Sequence, residues 1–112
     1  MLKRHNLTGS CPIELALTLI GARYKAIIVI ELRSGLKRFT QLKKAIGHIS
    51  PKVLTEHLRI MEEHGLVIRE VFAEVPPRVE YSLTDLGRSL EPIVDCLIEW
   101  GEHYKKEALF GL

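Results

Sequence analysis

The sequence has only two cysteines, Cys11 and Cys96, in 112 residues. They lie far apart and outside any CxxC spacing, so neither a disulfide framework nor a zinc site is expected, and a reducing cytoplasm suits the chain. No apolar run approaches the ~18 residues of a membrane-spanning helix. The first ten residues carry Lys3 and Arg4 but no apolar core or cleavage site of a secretory signal, so export is not expected. Nucleophile–base pairs, phosphate-cradling glycine loops and paired carboxylates are also missing at recognisable spacing. An enzyme is therefore not expected, and neither a cofactor nor a metal is implied.

What remains is an ordinary globular composition, 46% hydrophobic and 27% charged, of a size that fits one domain over 1–112 with 1–10 as a flexible N-terminal segment. The net charge of +2 is too small to identify a partner, but its distribution is polarised. Between Lys37 and Arg59, six basic residues face the single acid Glu56, a local net of +5. From Asp85 onward, three basic residues face six acidic ones, a net of −3. A basic middle and an acidic end suggest different tasks.

Periodicity supplies the elements. Pro12 suits a first helical turn, and Ile13, Leu15, Ala16, Leu17, Leu19 and Ile20 make the following helix apolar nearly all round. After Gly21, Tyr24 to Leu32 predicts a central buried helix, with a strand over Ala26–Ile30 as the alternative. Phe39, Leu42, Ala45 and Ile46 predict a short helix closed by Gly47. Ser50-Pro51 is an N-cap and first-turn signature for the next helix, whose apolar stripe is Leu54, Leu58 and Met61 and whose end is Gly65.

Beyond it, Leu66–Phe72 and Val79–Leu83 are β-prone runs joined through two prolines, the pattern of a hairpin. Thr84 can cap a last helix carrying Leu86, Leu90, Ile93, Leu97, Trp100 and Tyr104 as one seam, with Pro92 kinking it or standing in its first turns. The expected order is four helices, a hairpin and a helix. That is a mainly α, α+β fold.

Two short helices joined by Gly47-His48-Ile49 match a helix-turn-helix, whose second helix enters the DNA major groove. Inward Leu54, Leu58 and Met61 send Lys52, Thr55, Glu56 and Arg59 outward, where hydroxyl and cationic groups suit base edges. Ser50 can reach a phosphate. Lys37, Arg38 and Arg78 are candidate phosphate clamps that set register. The plainer alternative is that Lys52 and Arg59 merely solvate an exposed face.

The sequence resembles the HxlR-type family of winged helix-turn-helix regulators. The resemblance rests on Cys11-Pro12-Ile13-Glu14, Arg38-Phe39-Thr40-Gln41-Leu42, Ile49-Ser50-Pro51-Lys52-Val53-Leu54-Thr55, Gly65-Leu66-Val67, the proline-bearing run Val75 to Thr84, and Trp100-Gly101. It implies a prokaryotic transcriptional regulator with the hairpin as wing, dimeric through its first and last helices. Gly21-Ala22-Arg23-Tyr24 departs from the family pattern, which usually shows a second glycine and a tryptophan.

Dimerisation also has a physical argument, because both terminal helices carry more apolar surface than a small core can cover. Ile13, Leu17, Leu90, Ile93, Leu97, Trp100 and Tyr104 are the expected interface of a twofold homodimer. Cys11 has two readings, a redox or electrophile sensor, as some relatives use an N-terminal cysteine, or a small residue filling the dimer seam. His57 and His64, seven apart, are expected to be ordinary surface histidines.

The expected function is sequence-specific binding of double-stranded DNA, and a small-molecule or redox effector is compatible with it. The competing function is a winged-helix protein-interaction module that does not bind DNA.

Overall fold

A computed structural model describes residues 11–110. The expected flexible segment 1–10 lies outside the described residues. The elements, in chain order, are α1 (Pro12–Ile20), α2 (Arg23–Leu32), β1 (Lys37–Arg38), α3 (Phe39–Ile46), α4 (Pro51–Glu63), β2 (Val67–Phe72), β3 (Arg78–Leu83), α5 (Asp85–Arg88) and α6 (Glu91–Tyr104), followed by a π-helical extension, Lys105–Phe110. The architecture is α+β and mainly helical, with one small antiparallel sheet of order β1-β3-β2.

The apolar run of α2 forms a helix, and Ile28, Val29 and Leu32 are completely buried at the centre of the core. The strand alternative for this run is thereby excluded. Leu42 of α3 and the Leu54, Leu58, Met61 stripe of α4 close over α2, while Leu66, Val67, Tyr81 and Leu83 seal the sheet side. Each such side chain contributes about 1.5–3 kcal/mol of transfer free energy, so this cluster fixes where α4 stands.

Three sequence expectations are corrected. Lys37-Arg38, outside every expected element, is a third strand that pairs Lys37 with Tyr81 and Arg38 with Glu80. The expected single last helix is two. Pro92 has no N–H to give the carbonyl of Arg88, so the chain turns through Ser89-Leu90 and restarts, with Pro92 in the first turn of α6. The Leu86-to-Tyr104 seam is split accordingly, since Leu86 stands exposed on α5 and Leu90 packs half-buried against the core.

Third, His57 of α4 and His64, its C-cap, are not surface residues. His57 is half-buried and His64 is 4% exposed. Their spacing of seven puts them on one helix face, and His57 meets Tyr24 of α2 there.

Close approach fixes the junction of wing and α5. A Cβ built on Gly87 would fall 2.1 Å from the carbonyl oxygen of Leu66, so only glycine permits this contact. Thr84 ties the same corner, donating its hydroxyl to the Gly65 carbonyl at 2.6 Å and accepting from the Gly87 N–H at 2.9 Å. The radius of gyration is 15.7 Å, against about 13 Å for a compact domain of this length. The molecule is elongated, 57 Å in its longest dimension.

Candidate nucleic-acid interface

α3 and α4 are joined by a turn that depends on Gly47, whose φ of +89° lies in a region L side chains rarely adopt. Its N–H bonds the Lys43 carbonyl at 2.9 Å, ending α3, and its carbonyl accepts from Ile49 N at 2.9 Å. Ile49 is buried and anchors the turn in the core. Ser50 then caps α4, its Oγ accepting from the Val53 N–H at 3.1 Å.

A second tether comes from outside the pair. Tyr24 of α2 donates its hydroxyl to the His48 carbonyl at 2.8 Å, and its ring lies 5.7 Å from that of His57. The residue that departs from the family pattern thus holds both the turn and the flank of α4. Burial holds the His57 imidazole below its ordinary pKa, the Lys25 ammonium pushes in the same direction, and Glu56 opposes them.

On the outer surface of α4, Lys52, Thr55 and Arg59 are exposed, as the helical period requires. Thr55 donates its hydroxyl back to the Pro51 carbonyl at 2.7 Å, which leaves its oxygen as an acceptor. Ser50 and Arg38 are exposed at the starts of α4 and α3.

Two expected clamps are placed differently. The Lys37 ammonium donates to the Glu31 carbonyl at 2.8 Å and to Ser34 Oγ at 3.2 Å, so it closes the end of α2. Arg78 is half-buried, paired with Glu74 at 3.2 Å and Glu80 at 3.8 Å, and its guanidinium lies 4.0 Å from the centre of the Phe72 ring. Within the fold Lys37 is thus held by neutral oxygens and Arg78 is ion-paired.

Sequence reasoning missed Arg69. It lies on edge strand β2, opposite Tyr81, and shares with Arg59 a cleft of about 330 Å³ between α4 and the hairpin. Thr55, Leu58, Glu62 and Tyr81 complete its lining. A signal existed, since Arg69 is the one cation in the β-prone run of β2.

The terminal helices present a different surface. Ile13 and Leu17 of α1, and Ile93, Leu97, Trp100 and Tyr104 of α6, are all exposed, with the Trp100 and Tyr104 rings 5.5 Å apart. An apolar cavity of about 290 Å³ lies between α1 and the start of α6, lined by Leu15, Leu19, Leu90 and Ile93 among others. Arg33, the C-cap of α2, pairs with Asp95 of α6 at 2.8 Å. Cys11, at the N-cap of α1, is exposed, as is Cys96. No group of three or more metal-ligating side chains occurs among the described residues, and no described helix is long and apolar enough to cross a membrane.

A capped helix held outward by a glycine turn, beside a three-stranded sheet ending in a hairpin, defines a winged helix-turn-helix protein. The particular family follows from comparison: the HxlR-like helix-turn-helix profile matches residues 19–109, and the chain belongs to that family.

Its relatives are bacterial and archaeal. The transcriptional regulator YdeP of Bacillus subtilis is 45% identical over 95 residues, which are 85% of this chain and 74% of that protein. A regulator of Methanothermobacter thermautotrophicus is 45% identical over 94 residues, 84% and 72% of the two chains. Among solved structures, the reduced form of the redox regulator HypR superposes with a TM-score of 0.79 at 44% identity, covering 85% of this chain and 94% of that one. Its oxidised form gives 0.77 at 46%, covering 83% and 96%. The protein is a helix-turn-helix transcriptional regulator, and these relatives are regulators rather than enzymes.

Proposed function

We propose that the chain acts as one winged-helix unit that binds double-stranded DNA as a twofold homodimer, with α4 in the major groove and the hairpin as wing. The observation that carries this reading is the exposed face of α4, where Lys52, Thr55 and Arg59 stand free of the core that the opposite face fills. Lys52, Thr55 and Arg59 meet base edges, and Ser50 and Arg38 contact flanking phosphates. Lys37 and Arg78 serve this interface indirectly, by holding β1 and the wing in shape. The role is binding, not catalysis.

The exposed apolar faces of α1 and α6 supply the dimer contact through Ile13, Leu17, Ile93, Leu97, Trp100 and Tyr104, with Leu90 supporting from the core side. A twofold dimer places its recognition helices on half-sites about 34 Å apart. Because the neighbouring structures include a redox regulator in both redox forms, the exposed thiol of Cys11 is the position at which a redox effector would act.

The test is a titration against a genomic fragment pool at low and moderate salt, with sequencing of the retained fragments and light scattering of the free protein. Enrichment of a palindromic site by a particle of twice the 12.8 kDa chain mass is the expected result. No salt-dependent retention of duplex would reject the reading in favour of a protein-interaction module.

A further inference from the structure

From the cleft between α4 and the wing, we infer that Arg69 is a backbone-phosphate contact of the DNA complex, across the cleft from the base-reading Arg59. The inference rests on the DNA-binding reading above and deepens it.

The geometry is specific. Thr55, Leu58, Arg59 and Glu62 lie at positions i, i+3, i+4 and i+7 of α4, one continuous strip of the helix, and face Arg69 of β2 and Tyr81 of β3 across the cleft. Leu58 and Tyr81 are buried beneath it, while Thr55, Arg59, Glu62 and Arg69 are exposed at its rim. Among the described residues, Arg33, Arg78 and Arg88 are all engaged in ion pairs. Neither Arg59 nor Arg69 is so engaged, and Glu62 of the same cleft pairs with neither.

Two unpaired guanidinium groups face one carboxylate, which leaves the cleft with one uncompensated positive charge. Guanidinium is the group best shaped to hold a phosphate by parallel hydrogen bonds.

Groove dimensions say which phosphate. An α-helix with its side chains is about 10–12 Å across and the major groove is about 12 Å wide. A helix lying in the groove therefore fills it, and the two sugar-phosphate strands run along its flanks. One flank of α4 is occupied by Tyr24, whose ring meets that of His57 at a tilt of 52°. The other is this cleft, so the strand on the wing side passes over its rim. Arg69 is fixed there by strand pairing with Tyr81 on β3, not by base recognition. It contributes affinity and register without sequence choice.

The experiment compares the full chain with Arg69→Gln, Arg69→Lys and Glu62→Gln on the enriched duplex and on a scrambled duplex, between about 50 and 200 mM salt. One phosphate contact contributes about 0.9 to the slope of log affinity against log salt. Arg69→Gln should lower that slope by about 0.9 per engaged protomer. The parent then loses about 3.5-fold more affinity per protomer than the variant across this fourfold salt range. The loss from Arg69→Gln should be equal on both duplexes, Arg69→Lys should restore most of the slope, and Glu62→Gln should tighten binding.

An unchanged slope in Arg69→Gln, with parental thermal stability and a parent that binds duplex, overturns this inference alone. A parent without salt-dependent binding overturns the DNA reading with it. Stabilisation of the parent, but not of Arg69→Gln, by millimolar inorganic phosphate at constant ionic strength would assign the cleft to a free anion and overturn the backbone contact.

Discussion

The helix-turn-helix body and the terminal helices carry the same kind of sequence pattern with opposite outcomes. In α4, Leu54, Leu58 and Met61 recur at helical spacing and are at most 2% exposed. In α1 and α6, Ile13 with Leu17 and Ile93 with Leu97 also recur at helical spacing, yet all four are 46–63% exposed. Hydrophobic periodicity says that a face will be covered, not what will cover it. In the body the chain covers itself; at the ends it leaves the face exposed.

One substitution in each region separates the two outcomes most strongly. Leu54→Ala should lower the unfolding free energy by about 2–5 kcal/mol, the range for a completely buried leucine, measured by urea denaturation. A loss under 1 kcal/mol would mean that the body is not the self-contained half. Leu97→Asp should instead convert the particle to a 12.8 kDa monomer in light scattering, with its thermal midpoint no longer dependent on protein concentration. A parent that is already monomeric would remove the partner from the comparison.

Smaller effects test how the body holds α4. Ser50→Ala removes the acceptor for the Val53 N–H and should cost about 1 kcal/mol of stability. Tyr24→Phe removes the bond to the His48 carbonyl and should cost about 0.5–1.5 kcal/mol. DNA affinity should fall in Tyr24→Phe while the salt slope stays parental, because no phosphate contact is lost.

The smallest effect is pH dependence. Burial, reinforced by Lys25, lowers the pKa of His57 on folding, so the unfolded chain binds the extra proton first. The His57 contribution to stability is full above the unfolded pKa of about 6.5 and declines as pH falls from there toward the folded pKa. Urea midpoints from pH ~7.5 to ~5 should therefore fall less in His57→Gln than in the parent. An identical decline would place the pH dependence elsewhere.

Much of this was legible beforehand because it is written in short-range chemistry. Ser50-Pro51 announced the start of α4, and Gly47 and Gly65 announced two helix ends, since capping and positive φ are decided within a few residues. Leu54, Leu58 and Met61 fixed the inward face of α4 and hence the outward one. The split of the last helix was half legible: Pro92 offered a kink or a first turn, and packing of Val94, 1% exposed, goes with the second. Strand β1 was not legible, because two residues carry no period and become a strand only when Tyr81 and Glu80 stand beside them.

The candidate site divides along the same line. Helical geometry is local, so the sequence alone determined that Lys52, Thr55 and Arg59 share an outward face, and that both terminal helices carry apolar faces. Which cations stay available is a matter of neighbours distant in the chain. Only the tertiary structure decided that Lys37 would be held on the Glu31 carbonyl and Arg78 paired within the wing, that Tyr24 would reach His48, and that Arg69 would face Arg59 across a cleft. The physical reason is that a charged group is held or left available according to what surrounds it in space, and those surroundings exist only after α4 and the hairpin have closed on α2.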